Sequence, residues 1–570
     1  MVPVKLALNN IEHMGFVHKN RKVMRLKHSV VLLFGIFASF SALAQNTLNK
    51  EVQVVRAYEP VLSDAFKINL LPAINDTVRQ LPNLSYSIIP KVANTQFRVS
   101  PMPAAKLIGE PISEITPYYV KLGFGTTLSP LIEAYYGSLR QDDLSYGGFF
   151  RHFSSAGKVK LDNGRKEKVL ESESEAGFYG KKIFQTSAFE GGVFYKRNRY
   201  TFYGADPTYT GDLGGDSLRQ VSHRFGVDLA LHSLYTDSTH FNYAGRVGYT
   251  YFGDKFSMTE NNLDILVSGN KFFEQQRIGG EVEIIHIAKS SDLSANPNSI
   301  FRIAPWMGVF GADWRAKAGV NMVSDSWGGK SDVFIYPLGE LSYDVISHYF
   351  IPYISIGGKL EVNSYEKIMA ENPYIMPGLN VRNTNHKFIF EAGLKGKFSS
   401  SVSFNVAGSY SLSDSLYFFV NNFSENPSKF GVLYDNAQVT HFFGELVVGV
   451  QQHFSLMGRG EVTRYAMDKL AKPWQKPGWE VTVSALGNFK EKLYIKGSLV
   501  AVGDRYALAE NGDAIRLDPY ADLSLGFEYR MSSSFSLYLD FNNILGKSYY
   551  QWYRYSTYGF NALAGITLSF

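Results

Sequence analysis

The closing segment, Phe560-Asn-Ala-Leu-Ala-Gly-Ile-Thr-Leu-Ser-Phe570, constrains the fold more than any other part of the chain. Phe560, Ala562, Ala564, Ile566, Leu568 and Phe570 alternate with Asn561, Gly565, Thr567 and Ser569, and only Leu563 breaks the pattern. A period of two puts these side chains on opposite faces of a strand. A strand with one apolar face that ends the chain on an aromatic residue reads as the last staple of an outer-membrane barrel.

The same period recurs from about Tyr118 onward. Val120, Leu122 and Phe124 alternate with Lys121 and Gly123; Phe388, Phe390, Ala392 and Leu394 with Ile389, Glu391 and Gly393; Val402, Phe404 and Val406 with Ser403 and Asn405. Leu523 to Tyr529 and Phe535 to Phe541 repeat it. Each segment is long enough to cross a bilayer as a tilted strand. Connections alternate in length. Short ones fall near 183–186, 232–236, 270–274, 345–348, 397–400, 450–453, 488–491 and 530–533. Longer ones fall near 153–172, 197–217, 288–298, 361–384, 413–432, 466–477, 503–516 and 545–556. With short turns in the periplasm and long loops outside, this predicts an all-β, transmembrane antiparallel outer-membrane barrel of roughly 22 strands, with about 20 or 18 as the neighbouring even counts. A water-soluble sandwich or repeat array shares the alternation. It does not account for the strand lengths, the alternating loops or the export signal, and only a closed barrel satisfies its backbone in lipid.

That export signal is the apolar run Val30 to Ala44, preceded by Arg21, Lys22, Arg25 and Lys27 and closed by Ala42-Leu-Ala44. Residues 1–44 are expected to be a signal peptide cut after Ala44, with Met24 as the start. Residues 45–116 carry Pro60, Pro72, Pro82, Pro90, Pro101, Pro103 and Pro111, which interrupt helices and ladders alike. They are expected to form a periplasmic extension or a partial plug, with the barrel in residues 117–570. Composition narrows the rest. A net charge of +5 is no nucleic-acid footprint, and there is no cysteine for disulfides or thiolate chemistry. Phosphate loops, His-Glu-x-x-His pairs and nucleophile elbows are absent from the sequence. No catalytic residue, cofactor or metal site is therefore expected, and the 12 histidines read as surface or rim residues.

Charges on the polar face of strands are the better lead, because lipid would penalise them. Glu340, Glu391, Glu445, Glu528 and Asp540, with Lys359, Lys395, Arg459 and Arg530, are expected to line the lumen, either as a bracing salt-bridge network or as a polar conduit. Loop candidates are Arg197, Arg199 and Tyr200, at the head of an aromatic and charged connection, and Trp474 and Trp552. The aromatic clusters around Tyr118, Tyr135, Trp552 and Tyr555 read first as a membrane girdle and second as stacking surfaces for a ligand.

Asn543-Ile-Leu-Gly-Lys-Ser-Tyr549, followed by Tyr558-Gly-Phe-Asn561, resembles the end of TonB-dependent receptors, in the form found in Bacteroidota. The resemblance covers about residues 118–570 and is sharpest at the C-terminus. It implies a transport barrel in the outer membrane, in contact with lipid and lipopolysaccharide. The family's large N-terminal plug and energy-coupling box have no counterpart in 45–116; only Gln53-Val-Val-Arg-Ala-Tyr-Glu-Pro60 is similar to the first strand region of a plug. The expectation is a porin-like pore or conduit for small solutes. The alternative is a non-transporting barrel subunit or scaffold of an outer-membrane assembly or secretion complex, holding a periplasmic or outer-membrane partner through residues 45–116.

Overall fold

The computed structural model describes residues 116–570, apart from 140, 142, 162–163, 165, 205–217, 236–238, 291, 294–295, 347–348, 424–425 and 451–452. The leader, the Met24 start and the Pro-rich segment as far as residue 115 lie outside the described residues.

Twenty-two strands form one antiparallel sheet in which sequence neighbours pair and the ends meet. The first strand, Tyr118–Gly125, lies between the second, Ser129–Gly137, and the last, Asn561–Ser569. Tyr119 stands opposite Ser569, and Gly125 opposite Leu563. The Tyr118 N–H donates to the Phe570 carbonyl at 2.9 Å and the Phe570 N–H returns a bond at 3.1 Å. Closure of this kind removes the open edges that lipid cannot satisfy.

The predicted alternation sets the two faces. Phe178, Ile335 and Phe442 are 71%, 65% and 58% exposed on the outer wall, whereas Lys121 on the inner wall is 3% exposed. Turns at the end that bears both termini are short, as at 184–186, 274–275 and 400–401. The long connections lie at the other end, as at 156–170, 362–383, 503–519 and 543–560, among shorter ones such as 126–128, 255–258 and 328–329.

Two loop boundaries depart from the sequence reading. The connection expected at 197–217 starts only after Thr201, so Arg197 and Arg199 lie on the strand Ser187–Thr201. The loop expected at 413–432 is a hairpin of Val402–Asn422 and Asn426–Val450. Ser411 to Ser415 and the asparagines near its tip look loop-like in sequence, but tertiary burial decides. The strands are longer than a bilayer crossing needs, and Phe418, Phe419 and Phe430 at the far end are fully buried.

One joint in the wall is thin. Strands Lys330–Tyr343 and Ile351–Glu361 share a ladder only from Gly339 opposite Ile356 to Ser342 opposite Tyr353. Above it, Pro337 has no N–H to donate, and on the other side the register with Thr384–Ser399 shifts between Gly357 and Lys359, the extra residue lying on Thr384–Ser399 between His386 and Ile389. Side chains close the gap. The Tyr336 ring occupies the space where Gly358 has no side chain, its phenol donates to Asn385 at 2.8 Å, and the Asn321 amide reaches the Gly358 carbonyl at 3.4 Å.

Candidate functional site

Several of the long connections fold inward into one apolar core at the loop end. Val159 and Val169 come from the connection after the third strand, and Phe202, Tyr203 and Leu218 from the one after the fifth. Tyr374, Ile375 and Leu379 come from 362–383, Phe419 and Phe430 from the long hairpin, and Tyr555 from the final connection. On a ring of 22 strands the fourth and fourteenth stand almost opposite each other. Glu171 opens the fourth, Glu171–Ile183, and Tyr374 precedes the fourteenth, yet the Tyr374 phenol donates to the Glu171 carboxylate at 3.2 Å. The contact therefore bridges the mouth, and the loops form a cap.

At its centre the Tyr374 and Tyr555 rings stack with centroids 3.7 Å apart, and Tyr203 packs edge-on to Tyr555 at 4.8 Å. The Tyr203 hydroxyl donates to the Ser556 carbonyl at 2.9 Å, and the Tyr555 hydroxyl to the Ser428 carbonyl. Backbone bonds at 2.8–2.9 Å tie Tyr374 and Met376 to Phe430. Burial pushes the Tyr374 and Tyr555 phenols well above the usual tyrosine range. These hydroxyls stay neutral donors and meet the demand that buried polar groups be hydrogen-bonded.

A helical turn, Tyr365–Glu371, carries the rim of the cap. Ser364 caps it by accepting from the Lys367 N–H at 3.0 Å. The buried Glu260 carboxylate, at the top of the wall, accepts from the Tyr365 and Glu366 N–H groups at 2.9 Å each. Two ion pairs fasten its flanks: Arg224 to Glu366 at 2.8 Å and Lys476 to Glu371 at 2.8 Å. Burial opposes the Lys476 charge, but Glu371, with Tyr465 and Glu361 adding to it, holds the ammonium above the usual lysine range. Tyr417 also donates to Glu371.

Below the cap the inner wall carries paired charges. Lys317 meets Glu340 at 3.7 Å, Arg459 meets Glu445 at 3.6 Å and Glu461 at 3.0 Å, and Lys496 meets Asp540 at 3.0 Å. Lys395 lies 5.4 Å from the Tyr353 ring centroid and Arg530 5.4 Å from that of Tyr494. Glu391 stands between Ser355 and Ser409, and Glu528 between Tyr494 and Tyr538. These eight candidates share the parity opposite the exposed apolar residues of their strands. Lys359 has the same parity relative to exposed Ile354 and Ile356; it stands exposed opposite His386, past a register shift whose extra residue lies on Thr384–Ser399. The sequence reading also passed over Asp228 with Arg246 at 2.7 Å, and Arg302 with Glu283 at 2.8 Å and Glu281 at 3.2 Å. The same alternation marks them, as in Val227-Asp-Leu229 and Glu281-Val-Glu283.

The loop candidates divide. Tyr200 packs edge-on to Tyr374 at 6.3 Å, and Trp552 against Phe419 at 5.0 Å. Trp474, 3% exposed, belongs to a neighbouring cluster with Phe418 and Val420. Trp474, Trp552 and Tyr555 are thus cap core rather than membrane girdle. Arg197 stands opposite Ser174 and His223, and Arg199 opposite Ser172 and Val221, both on the parity of exposed Val193 and Tyr195. They face outward and do not join the cap. Among the described residues no group of three or more His, Cys, Asp or Glu side chains could hold a metal ion.

The architecture defines the class: a 22-stranded transmembrane β-barrel of outer-membrane type, with a loop-built cap over a charged lumen. Among solved structures the chain is similar to the FrpB iron transporter from Neisseria meningitidis, at TM-score 0.61 and 10% identity, covering 80% of this chain and 82% of that one. It is also similar to the ferric-catecholate import receptor Fiu from E. coli K12, at 0.60 and 9%, with 80% and 82% covered. The FpvAI–pyocin S2 complex matches at 0.59 and 12%, with 81% and 74% covered. At such identities the likeness is one of fold. No protein-family model and no curated protein matches the sequence.

Proposed function

We propose that the chain is an outer-membrane transport barrel, a conduit for small solutes whose outward mouth is shut by the cap in the state described. The observation that carries this reading is the juxtaposition of two layers. A lumen wall of paired charges suits a polar passage, and an apolar core laid across its mouth suits a removable closure. The likeness to import receptors supports the same class. Outer-leaflet lipid and lipopolysaccharide would surround the wall.

Single-channel conductance in planar bilayers tests it, with three forms: the full chain, the chain lacking 45–116, and the chain with 362–383 replaced by a short turn. The expected result is silence from the full chain and conductance once 362–383 is replaced. Conductance on loss of 45–116 alone would make that segment a second occluder. Silence from all three sinks the conduit.

The depth of burial in the cap favours one other reading, because a mouth this well packed also suits a barrel that never opens. Such a protein would be a scaffold in an outer-membrane assembly or secretion complex, engaging a partner through residues 45–116. Co-purification of a stoichiometric partner that is lost on deleting 45–116, with all forms silent, would establish it.

A further inference from the structure

We infer that the thin joint between Lys330–Tyr343 and Ile351–Glu361 is a binding site for an acyl chain that enters from the membrane, with Tyr336 as its latch. The inference is independent of whether the barrel conducts solutes.

The remaining neighbours in the ring share longer ladders. Trp314–Trp327 pairs with Lys330–Tyr343 from one end to the other, and Val402–Asn422 with Asn426–Val450 over nearly its full length. At the thin joint the paired register ends at Gly339, opposite Ile356. Val333 and Ile335, on the unladdered stretch, are 51% and 65% exposed on the outer wall, so the stretch lies at the level of lipid. The Asn321 amide reaches across the joint to the Gly358 carbonyl at 3.4 Å.

The inner side of the joint is equally distinctive. Elsewhere the lumen wall carries charge, but here Ile300, Val323 and Tyr336 form a buried apolar cluster, with Phe334 and Leu360 packed on it. An apolar cluster inside a polar lumen has no use for ions or sugars. It matches a hydrocarbon chain, which gains about 0.8 kcal/mol for each buried methylene. The latch is a single ring. Tyr336 fills the notch at Gly358, held by its phenol on Asn385. Swinging it aside connects the cluster to the bilayer without breaking a ladder bond. A polar rim stands directly above: Asn383 bonds Asp325 through both carboxylate oxygens at 3.1 Å and receives the Asn298 amide at 3.1 Å. The ligand class is thus an amphipathic lipid, its chain in the cluster and its head at this rim.

The test uses the full chain in phospholipid vesicles with a fatty acid carrying a diazirine on its acyl chain, photolysed and mapped by peptide mass spectrometry. Labelling of the inward residues Ile300, Val323 and Tyr336, at a tenth or more of the yield on outward Val333 and Ile335, is expected. Tyr336→Ala should raise the inward yield on Ile300 and Val323 severalfold, and excess unlabelled fatty acid should suppress it. Labels confined to outward residues in both the natural chain and Tyr336→Ala would overturn the inference. Inward labels that unlabelled fatty acid does not compete would also overturn it, since they mark leakage rather than a site. The shift of folded barrel on unheated gels checks that each variant is intact.

Discussion

Tyr538, on the penultimate strand, lies across Gly565 of the last strand, so that a methyl group on that glycine would stand 2.6 Å from the phenol oxygen and collide with the Leu122 carbonyl of the first strand. The ring also covers Gly123, and the Lys121 ammonium sits 4.2 Å from its centroid. One aromatic side chain thus spans the line along which the barrel closes.

Substitution there should discriminate between the two glycines. At Gly123 a new methyl meets mainly the far end of the Tyr538 side chain, which can turn away; at Gly565 it meets backbone. Gly565→Ala should lower the unfolding midpoint on heated gels by the equivalent of about 2–3 kcal/mol, and Gly123→Ala by less than about half of that. Equal effects would mean that backbone contact is not the deciding factor.

The Tyr374–Tyr555 stack predicts a cap that loosens while the barrel stays folded. Tyr374→Ala should cost the cap about 3–5 kcal/mol, seen as faster amide exchange and proteolysis within 362–383 with no change in barrel heat-modifiability. Trp552→Ala should act in the same direction. Arg197→Ala, on the outer wall, should leave exchange in the cap unchanged.

Glu260 predicts a subtler lesion. Its two oxygens accept two N–H groups of the helical turn. In Glu260→Gln one oxygen becomes an NH2 donor facing a donor, so about 1–3 kcal/mol of docking is lost. Amide exchange at Tyr365 and Glu366 should rise first, before the aromatic centre responds.

Acidity should tighten the same rim. Burial raises the Glu366 carboxyl above its ordinary value, Arg224 opposes part of that, and Glu260 adds to it. A carboxyl raised in the docked state binds its proton more tightly when docked. Its contribution is complete below the undocked value and is lost as pH rises through the docked one. Protection of 365–371 should therefore increase as pH falls from neutral toward the ordinary glutamate range, and Glu366→Gln should flatten that dependence.

Barrel and cap differ in how far the sequence reveals them. Alternation is local, so strands such as Phe535–Asn542 and the final Asn561–Ser569 can be read from their own residues, and so can the inward charges Glu445, Arg459 and Asp540. What the sequence does not mark is the extra residue between His386 and Ile389, which shifts the register of Thr384–Ser399 against both of its neighbours. The cap leaves no periodic trace at all. Tyr203 and Tyr374 sit in irregular segments and Tyr555 in a two-residue strand, and what buries them is one another. Trp474 and Trp552 have the same composition as girdle residues, and only the tertiary contact separates the two roles.

The cap also orders events in the life of the chain. The Tyr203 hydroxyl and the Ser556 carbonyl are 353 residues apart in sequence, and the Tyr558 hydroxyl reaches a carbonyl 389 residues earlier, at Val169. Contacts of such separation form late, because each waits for a long stretch of chain to be placed. A barrel interrupted before its final hairpin would therefore lack both its seam and its seal. The final hairpin must be in place before the loop end shuts, and an unfinished molecule announces itself by an open mouth.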